Sequence, residues 1–404
     1  MPKSMRSWAS FWESGARKQI SKYSLKTGGR LSRRPPVMER SQLNVHPHTD
    51  PRLSPAWAPW FSHEYINYYV VNALPPIMDL KPVPVLPDPR AADDPWAAGP
   101  RHIDFYKESF EIVRGLNPFE SYDYELRNGK FSSSPPLDLS IEPWKILLLY
   151  STEPDLLLDC DLPLDRRQKI TGGSHGWRHM EFKVAGVTFG SLVHSWRENT
   201  RLARAAFAQG NDYWGWRYLS RATHYLADAG NPFHVKTAPL ALRLRKFLSF
   251  TELFRIISAA HQGYEIYVER RFREEFPLFH EALRAGAQAY LSDGTGPELQ
   301  LRAYLQRARK RLNAIFNFII EKFGQELIGV FGHIDQNGET DVSKQINECS
   351  AQAAKIIFSH GDSFSLAPLD EATAEIFFDA GRILASFILE FYRRHERNDH
   401  APRA

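Results

Sequence analysis

The stretch YLSRATHYLADAGNPFHV, residues 218–235, places His224 and Asp228 four residues apart and His234 six further on. In an α-helix residues four apart stack on one face, so this imidazole and carboxylate can point at one spot. Proline has no N–H and clashes inside a helix, so Gly230-Asn231-Pro232 should end the helix near Gly230. His234 then approaches from a new direction. Nitrogen and oxygen donors converging in this way suit a zinc ion. A second pair of the same spacing follows at His261-Gln-Gly-Tyr-Glu265. With 15 His and 47 acidic residues in 404, chance supplies roughly 1.7 His-x3-acid pairs, but only roughly 0.06 once a third His is required at one fixed offset.

On these residues the chain resembles the zinc-dependent phospholipase C family, which includes the catalytic domain of alpha-toxin and is related to the fungal single-strand nucleases. The family pattern is H-x3-D-x5-H followed downstream by H-x3-E in the phospholipases or H-x3-D in the nucleases. Here the first reads HYLADAGNPFH and the second HQGYE. The resemblance is tight over residues 213–235 and 260–269, looser from His63 to His179, and absent before residue 55 and after about residue 275. It implies an all-α fold around a cluster of two to three zinc ions, and a phosphodiester hydrolase as the activity. It also implies the ligands. One zinc takes Asp155, His179 and His224, with Asp228 bridging to a second, and another takes His234, His261 and Glu265. The bridging site adds His63, which follows Trp60 as the family's first His follows its N-terminal Trp. In the family that Trp binds zinc through a free amine, whereas Trp60 is internal. His46, His48 and Asp50 are candidate substitutes. Asp155, touching both metal and water, would be the general base.

Rivals stay open at several positions. Asp159, Asp161 and Asp165 compete with Asp155, and His175 with His179 in TGGSHGWRHMEF. His63 near a helix start also reads as a capping or surface group. Glu265 rather than Asp favours a phospholipase over a nuclease. The internal Trp60 keeps a third reading alive, a metal-binding or membrane-docking protein without catalysis. A phospholipid or other phosphodiester is thus the expected partner, with nucleic acid under the nuclease reading.

The elements that must position these residues are helical. APWFSHEYINYYVVNALPP reads as a helix stopped by Pro75-Pro76, with His63 in its first turn. Residues 75–140 are Pro-rich and irregular and read as a surface insertion with one short helix over 103–114. PWKILLLYSTEPD reads as a helix and a turn at Glu153-Pro154-Asp155. A helix is expected from Phe189 to Ala208, and Asp212 should cap the one carrying His224 and Asp228. Residues 236–260 are apolar and basic, fitting a core helix or an interfacial helix on an anionic membrane surface. Residues 276–404 form a C-terminal helical extension, with helices expected over 266–276, 279–290, 299–323, 342–357 and 371–395.

Composition sets the outer bounds. Hydrophobic residues make up 43% and aromatics 13%, ample for a core. Cys160 and Cys349 supply neither a disulfide framework nor a thiolate metal site. No apolar run reaches the length of a transmembrane helix, and the N-terminus lacks the apolar region of a signal peptide, so a cytoplasmic or peripheral membrane location is expected. The net charge of +4 is uneven, because residues 1–40 hold ten Lys/Arg against Glu13 and Glu39. A basic arm over residues 1–54 suits an anionic surface and equally a solvated disordered tail. The helical metallohydrolase-like domain should span residues 55–404.

Overall fold

The computed structural model describes residues 62–86, 140–154, 178–184, 187–245, 249–290, 297–331, 342–359 and 365–399. The basic arm, the helix expected over 103–114 and most of the Pro-rich insertion lie outside these. Within them the protein is all-α, with two short antiparallel hairpin-like pairs.

Proline sets many of the boundaries. Helix α1, Ser62–Val71, is followed by the short α2, Pro75–Met78. Strand β1, Val83–Pro84, pairs with β2, Ser140–Ile141, and α3, Pro143–Leu149, continues into a 3-10 turn over Tyr150–Thr152. Proline occupies the first turn of α2 and α3, where its missing N–H is no loss and its fixed φ suits the helix. The prolines expected to stop one helix thus open the next.

Strands β3, Glu181–Val184, and β4, Val187–Gly190, form the second pair, with Phe182 stacked on Phe189 at 6.0 Å. This corrects the expected helix start at Phe189. Val-Thr-Phe alternates as a strand, and Gly190 at φ 84° turns the chain in a conformation that other residues rarely adopt. Helix α4, Leu192–Ala208, begins only after it.

Helix α5, Asp212–Asp228, is the central element, with every residue from Tyr213 onward buried. It packs against α1, α3 and α4. Its cap is Asn211, whose Oδ1 accepts from Trp214 N at 3.2 Å, one residue earlier than the expected Asp212. Asp212 lies instead in the first turn, where its charge complements the helix dipole. The helix ends at Ala229.

After α6, Pro232–Val235, and α7, Leu240–Arg245, comes α8, Phe250–Arg273. The apolar-basic segment therefore resolves into α7 and the first turns of α8, and the helix expected from Ile266 begins sixteen residues earlier. Ile256, Ala259 and Ala260 enter the core while Leu240 stays 60% exposed.

The C-terminal helices are α9, Pro277–Gln288, α10, Pro297–Phe331, α11, Val342–Ser359, and α12, Ala367–Asp399. Helix α12 packs on α9, α10, α5 and α1, and α10 packs on α8 and α6. Helices α9 and α12 touch backbone to backbone. A Cβ at Gly286 would stand 2.0 Å from Phe378 O, and one at Gly381 2.2 Å from Leu283 O. Only glycine at both positions allows that approach. Among the described residues no helix is long and apolar enough to cross a membrane.

Candidate metal centre

Helix α5 carries four buried ionisable residues in one stripe. At about 100° per residue, Arg217, Arg221, His224 and Asp228 fall within one narrow arc. The stripe divides into two clusters of different character.

The C-terminal half of the stripe ends at Asp228, which is fully buried. Its two oxygens gather four imidazoles. Oδ1 lies 3.0 Å from His63 Nε2 and 2.9 Å from His234 Nδ1. Oδ2 lies 2.8 Å from His179 Nδ1 and 3.2 Å from His224 Nε2. His179 Nδ1 and His224 Nε2 are themselves 3.0 Å apart, so with Oδ2 they close a triangle. His63 comes from the first turn of α1, His179 from just before β3, and His234 from α6, whose direction is set by Pro232.

A second group lies beside the first. Glu265 Oε1 is 2.8 Å from His261 Nε2 and 3.1 Å from His234 Nε2. His261 and Glu265 are one turn apart on α8. His234 therefore stands between the two carboxylates, with one ring nitrogen toward each. The ligand atoms of His63, His224 and Asp228 lie within 4.8 Å of one another, as do those of His234, His261 and Glu265.

The electrostatics follow from burial and pairing. Burial is the strongest influence on Asp228 and opposes its charge, yet His224, His179, His63 and His234 hold its carboxyl well below the ordinary value. Burial likewise opposes ionisation of Glu265, but His261 and His234 overcome it and bring the pKa to about 2. For His234 burial disfavours the cation, and Asp228 and Glu265 together outweigh it, raising the pKa to about 10. His63 goes the other way, because burial outweighs Asp228 and lowers its pKa, keeping the imidazole neutral.

These residues fit a metal ion. A tetrahedral zinc with bonds of about 2.0–2.1 Å holds its ligand atoms about 3.3 Å apart, and the triangle on Asp228 Oδ2 has edges of 2.8, 3.0 and 3.2 Å. Protons satisfy such a triangle poorly. A neutral imidazole has one N–H and one lone pair, each aimed along a single direction, and two nitrogens face each other here. Two buried groups can thus hold metal ions.

Of the expected ligands, the structure brings His63, His179, His224, Asp228, His234, His261 and Glu265 together. Asp155 lies outside the described residues, as do Trp60, His175, Asp159, Asp161 and Asp165. Three further residues escaped the sequence reading. Asn231 caps α6 by accepting from Phe233 N at 3.0 Å, and its Nδ2 donates to Glu265 Oε1 at 3.0 Å. The signal for it was an Asn directly before a helix-opening Pro. Arg309 on α10 joins two ligand-bearing segments. Its Nε donates to Val235 O at 2.9 Å and its Nη2 to Glu181 O at 3.4 Å, next to His234 and two residues past His179.

The third is Glu153, fully buried at the N-terminal half of the stripe. It accepts from Arg217 Nε at 2.9 Å, from Arg217 Nη2, and from Arg221 Nε at 2.6 Å. Arg217 also donates to Tyr213 OH at 3.1 Å and lies over the rings of Tyr150 and Trp214 at 4.2 and 4.5 Å. The spacing Arg217–Arg221, on the arc of His224 and Asp228, was the available signal.

Comparison with models of known protein families, with curated proteins and with solved structures found no match.

Proposed function

We propose that the chain is a zinc-dependent phosphodiester hydrolase of the phospholipase C type, cleaving by a metal-activated water. The observation that carries this reading is the convergence of seven buried ligating side chains into two groups that share His234. Five imidazoles and two carboxylates supply only nitrogen and oxygen, the donor set of hydrolytic zinc sites. Bound zinc would lower the pKa of a water and offset the charge of a phosphodiester.

The chain's own residues have separable tasks. His179, His224 and Asp228 would hold one ion and His234, His261 and Glu265 another, with Asp155 completing the first. His63, neutral at neutral pH, would add to the Asp228 group. Asn231 orients Glu265 by donating to Oε1, the oxygen that also faces His234 and His261. Asp155, by the resemblance, would take the proton of the attacking water.

The test is metal analysis joined to a panel of phosphodiesters. Two to three zinc ions per chain, and hydrolysis of phosphatidylcholine that stops on chelation, support the proposal. Cleavage of single-stranded DNA alone would assign the nuclease activity. Stoichiometric zinc with no turnover on any phosphodiester would leave a metal-binding protein, and less than one zinc per folded chain would overturn the proposal.

A further inference from the structure

Asp228 stands between two imidazoles that arrive on different segments of the chain. His179 Nδ1 meets its Oδ2 at 2.8 Å, and His234 Nδ1 meets its Oδ1 at 2.9 Å. The separation of those two segments therefore decides whether one carboxylate can serve both metal groups. A single guanidinium spans them. Arg309 Nε donates to Val235 O at 2.9 Å, one residue past His234, and Nη2 donates to Glu181 O at 3.4 Å, two residues past His179. Other arginines of the C-terminal half end on carboxylates, as Arg271 does on Asp370 and Arg307 and Arg311 do on Asp379. Arg309, half-buried, directs its fork to two backbone carbonyls instead.

Helix α10 reinforces this hold along its length. Lys236 Nζ donates back to Arg309 O at 3.2 Å and to Asn313 Oδ1 at 2.9 Å, so residues 235–236 and 309 grip each other in both directions. Nearer the N-terminus of α10, Tyr304 Oη fills the space that a side chain at Gly230 would need. Further along, Phe316 lies 6.2 Å from Phe233. The turn that swings the chain from Asp228 to His234 is thus backed by α10 from end to end.

We propose that Arg309 is a positioning residue, setting the separation of His179 and His234 across Asp228 and with it the shape of both metal groups. A guanidinium suits the task because its planar fork holds two acceptors in fixed directions, whereas an ammonium is a point donor on a flexible stem. Groups just outside a metal's ligands tune affinity in this way. The inference rests on the metal-binding reading and not on phosphodiester hydrolysis.

The test takes the full-length protein, strips it of metal and titrates it with cobalt(II), whose visible absorption is strong in tetrahedral sites and weak in octahedral ones. Arg309→Met should weaken cobalt affinity about ten-fold or more and lower the visible absorption of the loaded protein. Arg309→Lys, able to reach one carbonyl but not to hold both, should fall between the methionine variant and wild type in both readouts. Arg302→Gln, an exposed arginine elsewhere on α10, should match wild type. Melting with and without metal separates positioning from a general loss of structure. Weakened affinity subtracts from the metal's own stabilisation, so the loss of Tm should be larger in the loaded protein. Equal losses with and without metal would overturn the proposal. So would wild-type affinity and spectrum in Arg309→Met, or in Arg309→Lys where the methionine variant does not fold. Absence of cobalt binding by the wild-type protein would overturn it together with the metal reading itself.

Discussion

Helix α5 holds two buried ionic clusters about two turns apart, and they are built on opposite rules. In the first, every donor of Arg217 and Arg221 that reaches Glu153 finds an oxygen, and the aromatic rings of Tyr150 and Trp214 cover the guanidinium. In the second, nitrogen faces nitrogen at 3.0 Å and four imidazoles crowd one carboxylate. In the first cluster both carboxylate oxygens are met by guanidinium protons. The second turns ring nitrogens toward one another as well as toward the carboxylates, an arrangement that a cation between them would satisfy. Burial and charge do not separate a structural ion pair from a metal centre. What each buried nitrogen faces does.

Metal removal should break the comparison most severely. An ion bound at about 1,000 times its Kd contributes about 4.1 kcal/mol of stability, so stripping two ions should lower Tm by about 10 °C. The check is calorimetry with and without chelator, in which the Glu153 cluster contributes equally to both traces. Next comes substitution within each cluster. Glu153→Gln leaves two buried guanidinium groups facing a neutral amide and should cost about 3–5 kcal/mol, with zinc per folded chain unchanged. Asp228→Asn should instead lose at least one zinc per chain. Chemical denaturation paired with metal analysis measures both. If Glu153→Gln also loses zinc, the clamp positions the segment that leads to Asp155.

Finer contrasts follow. Asn231→Ala removes the donor to Glu265 and should weaken zinc affinity about 10–100-fold, read by competition with a chromogenic chelator. The smallest effect concerns protons. His234, with its pKa raised to about 10, is cationic at pH 7 in the metal-free protein and must lose a proton to bind zinc. Zinc binding should therefore release about one proton, seen as a dependence of the calorimetric heat on buffer ionisation enthalpy. The same shifts set a pH window for the metal-free chain. His234's contribution is present below its ordinary value of 6.5 and lost as pH rises through about 10. Glu265's is present above 4.5 and lost as pH falls through about 2. Stability of the metal-free protein from this pairing should thus be greatest between pH 4.5 and 6.5, measured by denaturation across pH.

The helical pairs were legible in the sequence because helix geometry is local. His224 with Asp228, and His261 with Glu265, need only four residues of context. Pro232 and the helix boundaries it implies were legible for the same reason. The residues that escaped depend on distant partners. Glu153 meets Arg217 and Arg221 across 64 and 68 residues, and Arg309 reaches Val235 and Glu181 across 74 and 128. No spacing rule joins such positions. The β3–β4 hairpin was hidden differently, since Phe189 suits a helix or a strand and only Gly190 marks the change. The seven candidate ligands could be grouped from the family resemblance, but the crowding of His63 and His179 with His224 on one carboxylate is visible only in three dimensions.

The grip of Arg309 on Val235 and Glu181 has a consequence for the order in which the protein is made. Synthesis runs from the N-terminus, and Glu265 is the last of the seven candidate ligands to leave the ribosome. At that moment α10 is not yet made, and neither is the guanidinium that ties the strand after His179 to the segment after His234. A nascent chain therefore displays every described ligand before it owns the strap that sets their spacing. If a metal is held here, its capture in the mature arrangement would come only after about residue 309 has emerged.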